Sequence, residues 1–269
     1  MAAGQGGVSV RGLTVFAMCT ILAFSLQWIM FMPAYKFQTE RYYDLSGSVT
    51  YLSVIYLALT QLVQLDVRAI ILASLVSIWA IRLGTFLFSR ILQDGSDSRF
   101  DEIKPVLLRF LNAWTLQGLW VIVTAGCALA AITSERHVPF GILGFCGIAL
   151  WLMGFSIEVI ADNQKKRFRE NKQNKHAFIS NGLWAYSRHP NYFGEILVWI
   201  GIAMIAYPAL SGWQHVTLVS PLFVILLLTK VSGIPMLEEK ADKRWADDQD
   251  YQAYKATTPV LIPTMKKPV

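Results

Sequence analysis

The sequence predicts an all-α integral membrane protein of seven transmembrane helices in one bundle. Three observations lead there. Runs of about 20 apolar residues, the length needed to cross a bilayer, recur along the whole chain. Hydrophobic residues make up 54% of the 269 and charged residues only 16%, with a mean hydropathy of +0.43, which leaves too little polar surface to cover such helices in water. The lysines and arginines are also one-sided. Of the 24, only Arg11, Arg68 and Arg136 fall on one side and Arg82 within a span; the others follow the first, third and fifth spans or lie in the tail. Because positive loops stay in the cytosol, the N-terminus is expected outside or in the lumen and the C-terminus in the cytosol.

The first span is expected at about 13–32, and it lacks an A-x-A-like cleavage site, so it reads as uncleaved. A polar and aromatic loop over 33–48, with Lys36, Glu40, Arg41, Tyr42, Tyr43 and Asp44, suits the membrane interface. Spans two (49–65) and three (69–91) follow closely enough to make a tight hairpin. The loop 93–109 leads to span four (110–132), which carries Asn112 and Gln117, and span five (139–160) ends with Glu158. The basic run 162–176 extends helix five into water. Spans six (192–208) and seven (215–230) precede a charged, aromatic tail with a helical LEEKADKRWADDQDYQAYK stretch. No internal repeat divides residues 1–269, which read as one membrane domain. Cys19, Cys127 and Cys146 lie in apolar runs without metal-ligand or disulfide spacing. No G-x-G-x-x-G or G-x-x-x-x-G-K-[ST] element is present either, so neither a soluble dinucleotide domain nor a P-loop is available.

Chemistry concentrates in NGLWAYSRHPNYFGEILVWIGIA, residues 181–203. Pro190 sits where a helix can begin, and the free backbone N–H groups of that first turn, with Arg188 beside them, suit an anionic ligand. Glu195 lies one turn inside the apolar helix, four residues after Asn191 and four before Trp199, so the three share a stripe. An intramembrane carboxylate needs a ligand or an ion-pair partner, for which Arg188 and Arg82 are candidates. His189 could transfer a proton or hold a phosphate or a carbonyl. On helix five, Asp162 and Arg169 are seven residues apart and lie on nearly one face with Glu158, whereas Lys165, Lys166 and Arg167 read as juxtamembrane charge that meets acidic lipid. Glu238 and Glu239 read as a solvated helix face. Arg82 cannot snorkel from mid-span and must pair within the bundle or bind an anion.

These motifs resemble a known family. GLWAYSRHPNYFGEILVWIG, preceded by IEVIADNQKKRFR and followed by YQAYKATTPVLIP, is similar to the C-terminal half of the steroid 5-alpha-reductases, and within them to a poorly characterised integral-membrane branch. The resemblance covers about 158–263 and implies a cofactor half there, with 1–132 as the substrate side. It implies a seven-helix membrane reductase that takes NADPH from the cytosolic side and passes a hydride to an activated carbon–carbon double bond. By motif, Asp162 and Arg169 would hold the nucleotide half of the cofactor. Tyr186, Arg188, His189, Asn191, Glu195 and Trp199 complete the implied cofactor set. The Gln-Glu pair and Tyr with which the steroid reductases polarise their substrate are not found here, and Arg82, Gln117, Asp44 and Tyr43 are the candidate catalytic replacements.

The expected substrate is a lipophilic steroid, isoprenoid or other lipid-like molecule entering from the bilayer, with membrane lipids as surroundings, no nucleic-acid partner, no metal, and a monomer as the simplest state. A eukaryotic host would place the chain in the endoplasmic reticulum, where Lys266-Lys267 could read as a dilysine signal; a bacterial one would place it in the inner membrane. Two rival readings stand beside the reductase. The RHPxYxG element and the acidic-aromatic tail are shared with isoprenylcysteine-type methyltransferases that use S-adenosylmethionine, a cofactor without phosphates to occupy the Asp162–Arg169 surface. A non-enzymatic lipid-binding protein is the other, disfavoured by Arg82 and Glu195 within the membrane.

Overall fold

The structure, a computed structural model, describes residues 2–264; the dilysine pair lies outside them. Ten α-helices account for most of it: α1 Val15–Lys36, α2 Tyr43–Thr60, α3 Val67–Asp94, α4 Leu107–Thr124, α5 Gly126–Ile132, α6 Ile142–Glu170, α7 Pro190–Ala206, α8 Val219–Leu226, α9 Ile234–Arg244 and α10 Gln249–Thr257. A two-residue hairpin, β1 Ser9–Val10 with β2 Leu13–Thr14, precedes α1. The chain is a multi-pass membrane protein, and length and composition mark fewer spans than the seven expected. Five helical stretches among the described residues are long and apolar enough to cross a membrane, or six if α4 and α5 form one bent span. The helix at the expected second span is α2, and it falls outside this set because its first two turns, Tyr43 to Thr50, carry Asp44, two serines, a glycine and a threonine. The expected fourth span bends by 53° between α4 and α5. There a β-branched run, Val121-Ile122-Val123-Thr124, meets Ala125-Gly126, and Ser220 Oγ donates to the Thr124 carbonyl, giving that group a partner at the break. The expected seventh span opens as a 3₁₀ stretch, Gly212–Leu218, before α8, and ends in a wide π turn, Leu227–Val231.

The chain forms two compact units: residues 1–145 with 202–220, and residues 146–201 with 221 onward. In the first, α2 runs antiparallel to α3, with Tyr51 edge-on to Trp79 at 5.3 Å and Ser48 against Gly84. An aromatic core of Phe31, Phe100, Phe110 and Trp114 joins α1 to α4. Arg68, only 2% exposed, donates from Nη1 to the Ile205 carbonyl at 2.6 Å and from Nη2 to that of Pro139 at 3.0 Å, so it caps the end of α7. In the loops, Lys104 Nζ donates to Glu40 Oε2 at 2.6 Å and the Asp97 N–H to Glu40 Oε1 at 2.8 Å. Burial pushes the Glu40 carboxyl up, but the bonds from Lys104 and Asp97 outweigh it and hold the group below its usual range.

In the second unit α6 and α7 meet through glycines. A Cβ built on Gly194 would come within 2.5 Å of the Gly154 carbonyl and 2.7 Å of the Glu158 nitrogen, and one on Gly201 within 2.7 Å of the Gly147 carbonyl. Rising numbers on one helix meet falling numbers on the other, so the pair is antiparallel. Gly147 and Gly154 are seven apart, as are Gly194 and Gly201, which places each pair on one face, the small-residue seam that lets membrane helices approach closely.

Two consequences can be measured. Gly194→Ala is expected to lower thermal stability in detergent by about 1 to 3 kcal/mol through overpacking, whereas Gly141→Ala, which has nothing within 4 Å of the added carbon, should be near neutral. A Gly194 variant as stable as wild type would refute the close seam. Lys104→Met strands the nearly buried Glu40 carboxylate and should cost about 3 kcal/mol at neutral pH. Because the folded Glu40 carboxyl titrates below its unfolded value, the wild-type contribution is present above that value and fades as pH falls through the folded one. The gap between wild type and variant in pH-dependent melting should therefore narrow in acid.

Candidate functional site

The site begins where α6 leaves the glycine seam. One turn beyond Glu158, which is 2% exposed, Asp162 is 6% exposed, and its Oδ1 accepts from Asn191 Nδ2 at 3.2 Å. The seam sets this pairing, because Asn191 precedes Gly194 by one turn on α7. The segment entering α7 is bound to α6 as well. Gly182 has φ +62°, a conformation that requires glycine, and a Cβ there would lie 2.5 Å from Gln164 Nε2 and displace that amide. Gln164 Oε1 accepts from the Leu183 N–H at 2.9 Å, Trp184 Nε1 donates to the Ala161 carbonyl at 3.0 Å, and Lys165 Nζ sits 4.5 Å over the Trp184 ring.

The tail straps the same segment from another direction. Ser187 Oγ donates to the Leu261 carbonyl at 2.7 Å, the Arg188 N–H to that of Pro259 at 2.9 Å, and Tyr254 Oη to that of Trp184 at 2.7 Å. Phe178, Trp245, Tyr251 and Tyr254 form an aromatic cluster beneath it. The charged anchor is Glu238 of α9: its Oε2 accepts from Arg188 Nη1 and its Oε1 lies 2.8 Å from His189 Nε2. This corrects the reading of Glu238 as a solvated face; Glu239, exposed and paired with Lys243 at 2.6 Å, does fit that reading. It also assigns Arg188 a partner other than Glu195. An acidic residue in a charged tail carries no sequence signal for a partner some 50 positions upstream, apart from the E-E pair beside an aromatic run.

His189 is 5% exposed and its ring stacks on Tyr192 at 5.7 Å and 9°. Burial pushes its pKa down; the Glu238 hydrogen bond works against this, while Lys165 and Arg188 add to it, and the net direction is downward. Around α7's first turn, three polar atoms are closed off from solvent with no partner among the described residues: His189 Nδ1, Asn191 Oδ1 and Arg188 Nε. Leaving such a group unsatisfied costs about 1 to 3 kcal/mol. All three belong to residues 188–191, at the entry to α7.

The remaining sequence candidates fall as follows. Glu195 is half-buried, Trp199 is 0% exposed, Tyr186 is half-buried with its carbonyl accepting from Thr264 N–H at 3.2 Å, and Arg169 is exposed near the end of α6. In the first unit, Tyr43, Asp44 and Gln117 come together: Gln117 Nε2 donates to the Tyr43 carbonyl at 3.0 Å, Tyr43 Oη donates to that of Ala113 at 2.9 Å, and Asp44 lies 3.9 Å from Arg90. Arg82 is half-buried with its guanidinium 5.2 Å over the Phe86 ring of its own helix. Sequence reasoning passed over Gln27, which is fully buried and donates to Thr50 Oγ1 at 2.8 Å, and Trp114, whose Nε1 is enclosed without a partner among the described residues.

Comparison with known proteins agrees with the motif reading. The family described as "Protein of unknown function (DUF1295)" matches residues 30–258. The 3-oxo-5-alpha-steroid 4-dehydrogenase 1 of Mus musculus is 27% identical over 169 residues, covering 59% of this chain and 60% of the mouse protein. The Rattus norvegicus protein of the same name is 29% identical over 118 residues, 44% of this chain and 40% of its own. An uncharacterized protein of Schizosaccharomyces pombe is 23% identical over 177 residues, 54% of this chain and 51% of its own. The chain thus spans about half the length of these relatives, and no solved structure matches it. With most of its length matched by one family model and its second unit carrying the motif set, the chain belongs to the DUF1295 family, a steroid 5-alpha-reductase-like group.

Proposed function

We propose that the protein is a membrane-embedded reductase that uses NADPH to reduce an activated carbon–carbon double bond in a lipophilic substrate. The observation that carries this reading is the set of buried polar atoms on Arg188, His189 and Asn191 without partners among the described residues, in a chain similar to 3-oxo-5-alpha-steroid 4-dehydrogenases. The residues present fit a dinucleotide: Arg188 and Arg169 offer charge-assisted contact to phosphate, and Asp162, Tyr186, His189, Asn191, Glu195 and Trp199 offer the polar and aromatic contacts. When bound, NADPH supplies the hydride. The chain's own part is to bind and orient that group, keep water out through the apolar wall of α7, and stabilise charge developing on the substrate. For that last role Arg82, Gln117, Tyr43 and Asp44 are the candidates. The topology that suits a cytosolic cofactor counts α2 as spanning and α4 with α5 as one crossing. This gives seven spans with a cytosolic C-terminus, since the Lys/Arg bias needs it.

Thermal unfolding of the detergent-solubilised protein tests the cofactor. NADPH is expected to raise the melting temperature and S-adenosylmethionine to leave it unchanged; the reverse would make the protein a methyltransferase. Arg169→Ala should weaken NADPH by on the order of 1.5 to 3 kcal/mol, and Asp162→Ala should also weaken it, with both variants still inserting. Glu195→Gln should leave the apo protein folded while NADPH stabilisation collapses. A large fall in apo stability with normal NADPH stabilisation would reassign Glu195 to a structural ion pair.

A further inference from the structure

Two carboxylates flank the start of α7, and each takes up the donor of a residue that can face either way. A carboxylate accepts hydrogen bonds and donates none. Asn191 must therefore turn Nδ2 toward Asp162, as the 3.2 Å contact has it, which leaves Oδ1 on the other side. His189 must likewise present an N–H to Glu238 from Nε2, at 2.8 Å. Glu238 stays ionised for this because Arg188 is bonded to its other oxygen. A buried imidazole with one N–H committed has its second nitrogen, Nδ1, as a bare lone pair when neutral. The groups facing His189 are Glu238 from α9, Arg188 and Ser187 from its own segment, the Tyr192 ring, and Lys165 from α6. The two cations oppose a second proton, and only Glu238 favours one.

The atoms left over are then both acceptors, His189 Nδ1 and Asn191 Oδ1, two residues apart in one turn and enclosed without partners among the described residues. A phosphate, which offers oxygens, would meet lone pairs there. We infer that Glu238 and Asp162 are positioning residues that set His189 and Asn191 as hydrogen-bond acceptors, so that the ligand group seated on this turn is an N–H or O–H donor and not a phosphate. This rests on the cofactor reading for its ligand and stands in place of the expectation of a phosphate at His189. A dinucleotide has two such donor groups near its reactive end, the carboxamide N–H and the ribose hydroxyls. Phosphate contact then falls to Arg188 Nε and the more distant cations.

The test has two arms on the full chain in lipid nanodiscs. In the first, [¹⁵N]histidine NMR of the apo protein reads which nitrogen of His189 is protonated at neutral pH, assigned among the four histidines with His189→Gln. A proton on Nε2 and a bare Nδ1 is expected, and Glu238→Ala should lose that single tautomer; a proton on Nδ1 overturns the proposal. In the second, binding of NADPH is compared with its reduced acetylpyridine analogue, which lacks the carboxamide N–H, and with an analogue lacking the nicotinamide-ribose 2′-hydroxyl. Wild type should lose about tenfold against one of them, naming the donor, and His189→Phe or Asn191→Leu should erase the discrimination. Equal binding of all three by wild type overturns the ligand half, leaving an enclosed water as the partner. No NADPH binding at all would sink the cofactor reading with it, while the tautomer arm still decides the acceptor assignment.

Discussion

The contact on which the second unit depends is backbone against backbone, where Gly154 and Gly147 of α6 meet Gly194 and Gly201 of α7. In a membrane there is no hydrophobic drive to bring two apolar helices together, so close packing and interhelical hydrogen bonds must do it. Removing the side chains from the seam lets the axes approach far enough that Asp162 and Asn191, whose side chains are short, can touch one turn further on. A wider seam would part these two side chains. The glycines thus act at a distance from the polar site, by setting the helix separation that the site requires.

The same unit needs its tail. The segment from Gly182 to His189 is held on one side by α6, through Gln164 and Ala161, and on the other by Glu238, Pro259 and Leu261. Apart from one 3₁₀ turn, Gly182–Ala185, these residues form no regular element, so most of their backbone groups find partners one at a time. The π turn at Leu227–Val231 and the close packing of Gly233 on the Leu228 carbonyl set the direction in which α9 leaves the membrane, and with it the reach of Glu238. Local shape at the site therefore depends on pieces of chain separated by 50 to 75 positions.

Much of this was legible. Apolar runs of spanning length announced the helices, and the basic continuation of helix five is helical as far as Glu170. Asp162 and Asn191, singled out on separate helices, turn out bonded to one another. What escaped reading shares one cause: it is decided by partners far away in sequence. Glu238 looks like any acidic residue of a charged helix until α9 is placed. The bend at Ala125 depends on Ser220, and the capping role of Arg68 depends on carbonyls of Ile205 and Pro139. The polar first half of α2, which lowers its hydropathy, is satisfied within the first unit by serine and threonine bonds to the preceding turn.

That polar half of α2 links to a wider feature of the first unit. Ser46, Gly47 and Thr50 face Gln27 and Gln117, and Gly47 leaves just enough room for the Gln117 amide, which would come within 2.7 Å of an added Cβ. Amide side chains this deep in an apolar bundle serve first as glue between helices. Each here spends its N–H on a protein acceptor, Thr50 for Gln27 and the Tyr43 carbonyl for Gln117, and each retains an enclosed Oε1 without a partner among the described residues. The two units therefore share a habit of construction: a side chain with both donor and acceptor is fixed through its donor, and its acceptor is left over. At α7 the donor is taken by a carboxylate, which admits no other orientation. In the first unit it is taken by a hydroxyl or a carbonyl, and the hydroxyl of Thr50 is itself committed as a donor to the Ser46 carbonyl, so the polarity is set there too.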